Sequence, residues 1–293
     1  MTRPRFRFAP SPNGRLHLGH AYSALLNERM AEAAGGRLLL RIEDIDPVRS
    51  KPHLVDAIIA DLAWLGLRWE EPVRRQSQHL EDYARASRQL CEAGLVYPCF
   101  CTRSEVQGAA EAARPGEPAP RDPDGAPLYP GTCRRPITTD WAIREAEHRV
   151  PVWRLDTRAA LARLQGAPIG WTRIAADGQD SWREARPLLW GDPVVVRRDV
   201  GTSYHLSVVT DDALQGITHV VRGRDLEAAT DLHALLQALL SLPAPLYHHH
   251  DLVLDTGGAK LSKSLGSASL DQARAAGASP ADIRRALGFE GRP

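Results

Sequence analysis

His17-Leu18-Gly19-His20 sets two imidazoles three residues apart, and Lys260-Leu261-Ser262-Lys263-Ser264 sets two ammonium groups three apart much later in the chain. Across the first turn of a helix, residues i and i+3 point the same way. The N–H groups of a helix start face outward as well, which makes such a turn ready for phosphate. Imidazoles and ammonium groups together can offset charge developing on an attacked α-phosphate and on leaving pyrophosphate. Gly257-Gly258 precedes the lysines and provides a hinge for closure over a nucleotide. Each half alone has an ordinary reading, as a helix cap with incidental histidines or as a polar loop. Taken together, with the turn Ser11-Pro12-Asn13-Gly14 ahead of the histidines, they point to a triphosphate site. Lys263 is the expected phosphate contact, with Lys260 sharing it.

Other side chains can do chemistry beside that pair. Arg41-Ile42-Glu43-Asp44-Ile45-Asp46-Pro47 ends a Leu-rich run at the place where a strand would deliver residues to substrate. Glu43 suits an ammonium group, and Arg7 suits a carboxylate in bidentate geometry. Asp44 and Asp46 have an alternative use in turns and caps, which is the expectation for Asp46. Cys99, Cys101 and Cys133 supply three soft ligands, and zinc takes a fourth that the spacing leaves unidentified. Cys91 falls in a helix-like run and is expected to be a small buried residue. His248-His249-His250 alternates faces if extended, so it is expected to be a loop or edge feature rather than a metal site. No protein nucleophile stands out.

These groups need elements to hold them. Arg5 to Ala9 predicts a short first strand ended by Pro10. Leu18 to Ala34 predicts a helix stopped at Gly35-Gly36, Arg37 to Ile42 a buried parallel strand, and Leu54 to Leu65 a helix closed by Gly66. Strand, helix, strand, helix argues for a doubly wound α/β unit. No GxGxxG occupies the first turn, so the histidine motif stands where a dinucleotide loop would be. Residues 108–127, rich in Pro, Gly and Ala, predict a mobile loop. Residues 138–189 predict an insertion containing a strand at 151–155. Val194 to Arg197 and Tyr204 to Val209, flanking Gly201, predict strands returning to the sheet. Leu226 to Leu240 predicts an amphipathic helix with Leu232, Leu235, Leu236, Leu239 and Leu240 on its core face, and Ser279-Pro280 starts a last short helix.

Composition sets outer limits. At 293 residues, 43% hydrophobic and 25% charged, the chain is large enough for one big domain with insertions or for two. No apolar run reaches the roughly 18 residues of a membrane span, and the N-terminus lacks an apolar signal core. A cytoplasmic location is expected. The net charge of +1 neither favours nor excludes a nucleic acid partner, because phosphate contacts depend on local patches.

The two motifs resemble those of the class I aminoacyl-tRNA synthetases, usually written HIGH and KMSKS. Arg7-Phe8-Ala9-Pro10-Ser11 and Arg41-Ile42-Glu43-Asp44 are similar to the glutamyl branch of that class. The resemblance covers the chain from Arg5 to about Ser264. It implies a Rossmann-like doubly wound parallel sheet with an inserted α+β subdomain carrying a zinc site. The implied division is 1–98 and 190–256 for the two halves of the catalytic domain, 99–189 for the inserted subdomain, and 257–293 for the lysine loop and a helical C-terminal segment. By matching segments it assigns a glutamate pocket to Arg7, Phe8, Ala9, Pro10, Ser11, Glu43, Tyr204 and Arg222. It assigns ATP binding to His17, Gly19, His20 and Lys263, and catalysis to His17, His20, Lys260 and Lys263. Two arginines and one glutamate complement an amino acid with two carboxylates and one ammonium, so glutamate fits better than glutamine.

The short stretch after Ser264 is expected to leave no room for a helical anticodon-reading domain. With Cys99, Cys101, Tyr129 and Cys133, this resembles the glutamyl-Q tRNA(Asp) synthetases. That resemblance implies one structural zinc ion with Tyr129 as fourth ligand, although phenolate is an uncommon ligand and water or His148 are alternatives. It also implies ATP with Mg²⁺, L-glutamate, and tRNA(Asp) bearing queuosine as partners, in a monomer. Glutamate would be activated without tRNA and then joined to the queuosine base. Two features depart from the pattern: His20 stands where several such relatives carry serine, and the segment between Cys101 and Tyr129 is long. A compact glutamyl-tRNA synthetase charging the 3′ end, or a non-catalytic tRNA-binding paralogue, are the alternatives.

Overall fold

Apolar side chains from the first two strands and the first two helices bury against one another and start the fold. The computed structural model describes residues 3–134, 149–174, 179–253 and 269–289. Strand β1 (Arg5–Phe8) leads through a turn to helix α1 (Leu18–Ala33), and β2 (Arg37–Ile42) returns beside β1 in parallel register. Gly35, at φ 59, takes the left-handed turn between them. Helix α2 (Pro52–Trp64) begins with proline in its first turn and stops before Gly66, at φ 80. Strand β3 (Glu70–Arg75) and helix α3 (Leu80–Glu92) follow. Phe6, Leu25, Leu40, Ile42, Ile58 and Leu62 form one buried cluster here. Each such side chain contributes about 1.5–3 kcal/mol of burial.

The chain then builds β4 (Val96–Cys99), α4 (Arg103–Ala112), β5 (Val152–Leu155), α5 (Thr157–Arg163), β6 (Gly170–Arg173), β7 (Ser181–Glu184) and β8 (Val194–Val196). Helix α6 (Tyr204–Leu214), β9 (His219–Gly223), α7 (Ala229–Leu239), β10 (Leu246–His250), α8 (Leu270–Ala275) and α9 (Pro280–Ala286) complete the described elements. A seven-stranded sheet runs in the order β3-β2-β1-β9-β10-β6-β7. It is parallel from β3 to β6, and β7 pairs antiparallel at its edge. Successive strands run outward from β1 to one side, then outward from β9 to the other. Such a reversal opens a crevice at the carboxyl ends of β1 and β9. Strands β4, β5 and β8 form a separate antiparallel sheet.

The α/β architecture expected from the sequence is the one observed, with five local corrections. Tyr204 to Val209 is helix, not strand. Ser203 caps it by accepting from the Leu206 N–H at 3.3 Å. Because Leu206 through Asp212 are all buried, no helical period survives in the sequence. Val194–Val196 does form a strand, but it joins the small sheet instead of returning to the large one. His248–His250 lies within β10, an interior strand between β9 and β6, with His249 and His250 buried; it is neither loop nor edge. Cys91 is exposed, because α3 turns that face outward. Helix α4 also covers the first part of the segment expected to be a loop, up to Ala112. Leu232, Leu235 and Leu236 on α7 are fully buried as expected. Among the described residues no helix is long and apolar enough to cross a membrane.

Candidate active site and metal centre

A cleft of about 660 Å³ opens at the carboxyl ends of β1, β2, β9 and β10. Arg7, Phe8, Ala9, Pro10 and Ser11 reach it from β1, and Glu43 from β2. The Glu43 N–H donates to the Pro10 carbonyl at 3.0 Å, which ties the two strand exits together. Tyr204 arrives from the first turn of α6 and Arg222 from β9, while His17, Gly19 and His20 line the side made by α1. The structure thus brings every described residue expected to bind glutamate or ATP to one cavity. Lys260 and Lys263 lie outside the described residues. The residues flanking that segment are at the site: Val253 lines the cleft, and Ser269 bridges to His17.

The two histidines are held by the helix start itself. His17 is the N-cap of α1, and its Nδ1 accepts the Gly19 N–H at 3.1 Å. His20 Nδ1 accepts the His17 N–H at 3.2 Å. A ring nitrogen that accepts from a backbone N–H carries no proton, so each ring bears its proton on Nε2. The rings lie 3.8 Å apart between centroids. Gly19 leaves room for the ring: a Cβ there would stand 3.0 Å from the His17 side chain and press on it. Capping therefore uses Nδ1 of each ring and fixes how the ring is oriented at the helix start. Leu270 N–H donates to the Leu16 carbonyl at 2.8 Å, and Arg15 pairs with Asp271 at 2.6 Å, which pins α8 beside the histidines.

Beneath the cleft runs a buried charge network that the sequence did not reveal. Asp212, at the far end of α6 from Tyr204, accepts from Arg7 Nε at 3.1 Å and from Arg41 Nη1 at 2.8 Å. Arg41, fully buried, also lies 3.4 Å from Glu43 Oε1 and 3.6 Å from Asp211. Asp211 in turn accepts from Arg74, Gln76 and Tyr83. Burial pushes the Glu43 carboxyl upward, and Arg41 and Arg7 pull it back. Burial works against the charge on Asp212, but Arg7 and Arg41 outweigh it and hold that carboxyl below its ordinary range. The only sequence signal for this network was a pair of adjacent acids inside an apolar segment. Asp46 accepts from the N–H groups of Val48 and Arg49, the turn role expected of it. Asp44 is buried and anchors Arg75 and Ser77.

Away from the cleft, Cys99, Cys101 and Cys133 have their Sγ atoms within 4.8 Å of one another. Cys101 and Cys133 are 3.6 Å apart, and Tyr129 Oη lies 3.4 Å from Cys99 Sγ and 4.0 Å from Cys101 Sγ. Ligands about 2.3 Å from a tetrahedral zinc stand roughly 3.8 Å from each other, so this donor set fits the ion. The Cys133 N–H donates to Tyr129 Oη at 2.7 Å, and the Arg154 guanidinium sits 3.8 Å over the Tyr129 ring. The Cys133 N–H favours negative charge on that oxygen, whereas burial and the neighbouring cysteine side chains push the phenol up. Arg134, next to Cys133, donates to buried Asp192 at 2.7 Å, and Asp192 also accepts from Tyr97 of β4. Hydrogen bonds with Cys101 and Cys133 favour a thiolate at Cys99, while those with Cys133 and Cys99 push the Cys101 thiol up. A divalent cation is the kind of charge that lets all three ionise together.

Comparison with known proteins shows the family. Residues 4–292 match the family model described as tRNA synthetases class I (E and Q), catalytic domain. The chain is 49% identical over 287 residues to a glutamyl-Q tRNA(Asp) synthetase of Rhodobacter capsulatus, covering 97% of this chain and 99% of that one. It is 42% identical over 285 residues to the protein of that name from Symbiobacterium thermophilum, covering 94% of this chain and 83% of the relative. Among solved structures it is similar to a glutamate tRNA ligase from Elizabethkingia meningosepticum in complex with its amino acid, with a TM-score of 0.76 and 26% identity. That match covers 99% of this chain and spans 61% of the ligase chain.

Proposed function

Because the chain belongs to the class I tRNA synthetases (E and Q), we propose that it activates L-glutamate with ATP and transfers it to the queuosine base of tRNA(Asp). One observation carries the amino-acid half of this reading. Arg222 is 5% exposed in the cleft, and among the described residues no carboxylate pairs with it. It stands in the same cavity as Arg7, Glu43 and the His17–His20 pair. A ligand with two carboxylates and one ammonium complements that set, and glutamate is such a ligand. Its nucleotide half rests on the imidazole pair at a helix start, a setting suited to phosphate.

In the proposed first step a carboxylate oxygen of glutamate attacks the α-phosphorus of ATP, forming glutamyl-adenylate as pyrophosphate leaves. Arg7 and Arg222 hold the substrate's carboxylates, Glu43 its ammonium, and Tyr204 orients Arg222. The Nε2–H groups of His17 and His20, with Lys263 and Lys260, offset charge on the phosphates. Mg²⁺ brought in with ATP would supply further neutralisation of phosphate charge. In the second step a hydroxyl of the modified base attacks the acyl carbon, AMP leaves, and the hydroxyl proton goes to solvent. Activation without tRNA, action as a monomer and a cytoplasmic setting belong to the same proposal. Cys99, Cys101, Tyr129 and Cys133 would hold zinc, which would fasten the loop after α4 rather than take part in the chemistry.

Labelled glutamate, ATP and tRNA(Asp) with and without queuosine test the reading. Label is expected only on queuosine-containing tRNA and is lost on treatment with mild base. Label on the 3′ end of tRNA(Glu) instead would identify a compact charging enzyme, and no glutamate-dependent pyrophosphate exchange would identify a non-catalytic binder.

A further inference from the structure

Among the described residues, Arg222 is held by neutral acceptors alone. Its Nε donates to His249 Nε2 at 3.4 Å, one terminal nitrogen to Tyr204 Oη at 3.3 Å and to His233 Nδ1 at 3.3 Å, and the other to Thr230 Oγ1 at 2.8 Å. Arg7 differs, since its Nε is taken by the buried carboxylate of Asp212.

A guanidinium can only donate, so the surrounding proton positions follow. His233 Nδ1 is bare and its proton sits on Nε2, which donates to His205 Nδ1 at 3.1 Å. Thr230 accepts from Arg222 and turns its own proton to His249 Nε2 at 3.0 Å. His249 then carries its proton on Nδ1, which is buried and has no hydrogen-bond partner among the described residues. Leaving that donor unsatisfied costs stability, and a carboxylate in place of either imidazole would both accept from Arg222 and balance its charge. The chain instead keeps acceptors that carry no charge.

We infer that His233 and His249, with Thr230, form a neutral cradle that positions Arg222 and leaves its charge for the substrate's side-chain carboxylate to balance, so that the acid is selected over its amide. This rests on the proposal that the cleft receives glutamate. Burial, then Arg222, pushes His233 well below its ordinary value and His249 down to about 2. At neutral pH the cradle therefore acquires no charge of its own.

Calorimetric titration with L-glutamate and L-glutamine, on wild-type protein and on His233→Glu, His233→Asn and His233→Leu, tests the inference. His233→Glu supplies an internal counter-ion. It is expected to keep or raise the melting temperature while weakening glutamate binding at least roughly tenfold and eroding the preference over glutamine, an opposite movement that structural damage would not produce. His233→Asn, which keeps an oxygen acceptor, is expected to retain most of the preference. A folded His233→Glu protein with wild-type preference overturns the cradle. Should that variant not fold, His233→Leu carries the test: loss of preference restored in His233→Asn supports the cradle, and equal behaviour of the two overturns it. Wild-type protein that binds glutamate no better than glutamine also overturns it. Wild-type protein that prefers glutamate but shows no glutamate-dependent pyrophosphate exchange overturns the proposed function and leaves the cradle standing.

Discussion

Arg7 donates its Nε to Asp212 at 3.1 Å, and this contact joins residues 205 positions apart beneath the cleft. The same carboxylate oxygen accepts from Arg41 at 2.8 Å. One acid on α6 thereby sets the guanidinium of β1 and, through Arg41, supports Glu43 on β2. Asp212→Asn removes the shared charge and leaves two buried cations short of a partner. Loss of about 3–5 kcal/mol is expected, because breaking a buried pair from one side strands the other. Denaturant unfolding would measure it, with a raised KM for glutamate alongside. Stability within about 0.5 kcal/mol of wild type would remove Asp212 from this role.

The cysteine cluster predicts a metal dependence that can be read without any activity assay. Roughly one zinc per chain is expected by elemental analysis, and Cys101→Ser should lower that content and the melting temperature together. Chelation of the wild-type protein should move its melting temperature to that of the variant. Wild-type protein purified with zinc supplied but holding none would count against the assignment.

The buried imidazoles predict how stability follows pH. Burial, followed by Arg222, lowers His205 to about 4 and His249 to about 2. In the unfolded chain these groups take up protons near pH 6.5, while the folded protein keeps them neutral. The unfolded state then binds more protons, so stability falls as pH drops through the window from about 6.5 to about 5. Each histidine can contribute up to about 1.4 kcal/mol per pH unit there. Thermal melts across that window should decline, and His249→Gln should flatten the slope. A melting temperature that rises from pH 7 to pH 5 would contradict the neutral assignment.

Phosphate contacts should separate from amino-acid contacts. Lys263→Ala is expected to lower pyrophosphate exchange by roughly 10²–10³ while glutamate binding by calorimetry stays unchanged. His20→Ala should show a similar loss, with about 0.5–2 kcal/mol of stability as well, because its Nδ1 also caps the backbone of α1. A near-normal exchange rate in Lys263→Ala would take that residue out of the mechanism.

The legible parts of this protein were the local ones. Arg5–Phe8 alternates, Arg37–Ile42 is a Leu-rich run, and Ser279-Pro280 carries a cap and a proline at the first helical position, so these elements declared themselves. Tyr204–Leu214 did not, because a helix buried on all sides shows no amphipathic period. His248–His250 misled for a related reason: adjacent histidines read as surface, and only pairing with β9 and β6 put them inside.

Residue type and spacing along the chain determined the motifs, the three-cysteine set and the α/β class, since those depend on chemistry carried within a few neighbouring positions. Tertiary structure alone decided which charges are balanced and which are left open. Asp212 meets Arg7 and Arg222 meets His233 only after strands and helices distant in sequence have packed together. An ionisable group's partners are fixed by distance and burial in space, and neither is encoded at the position of the group itself.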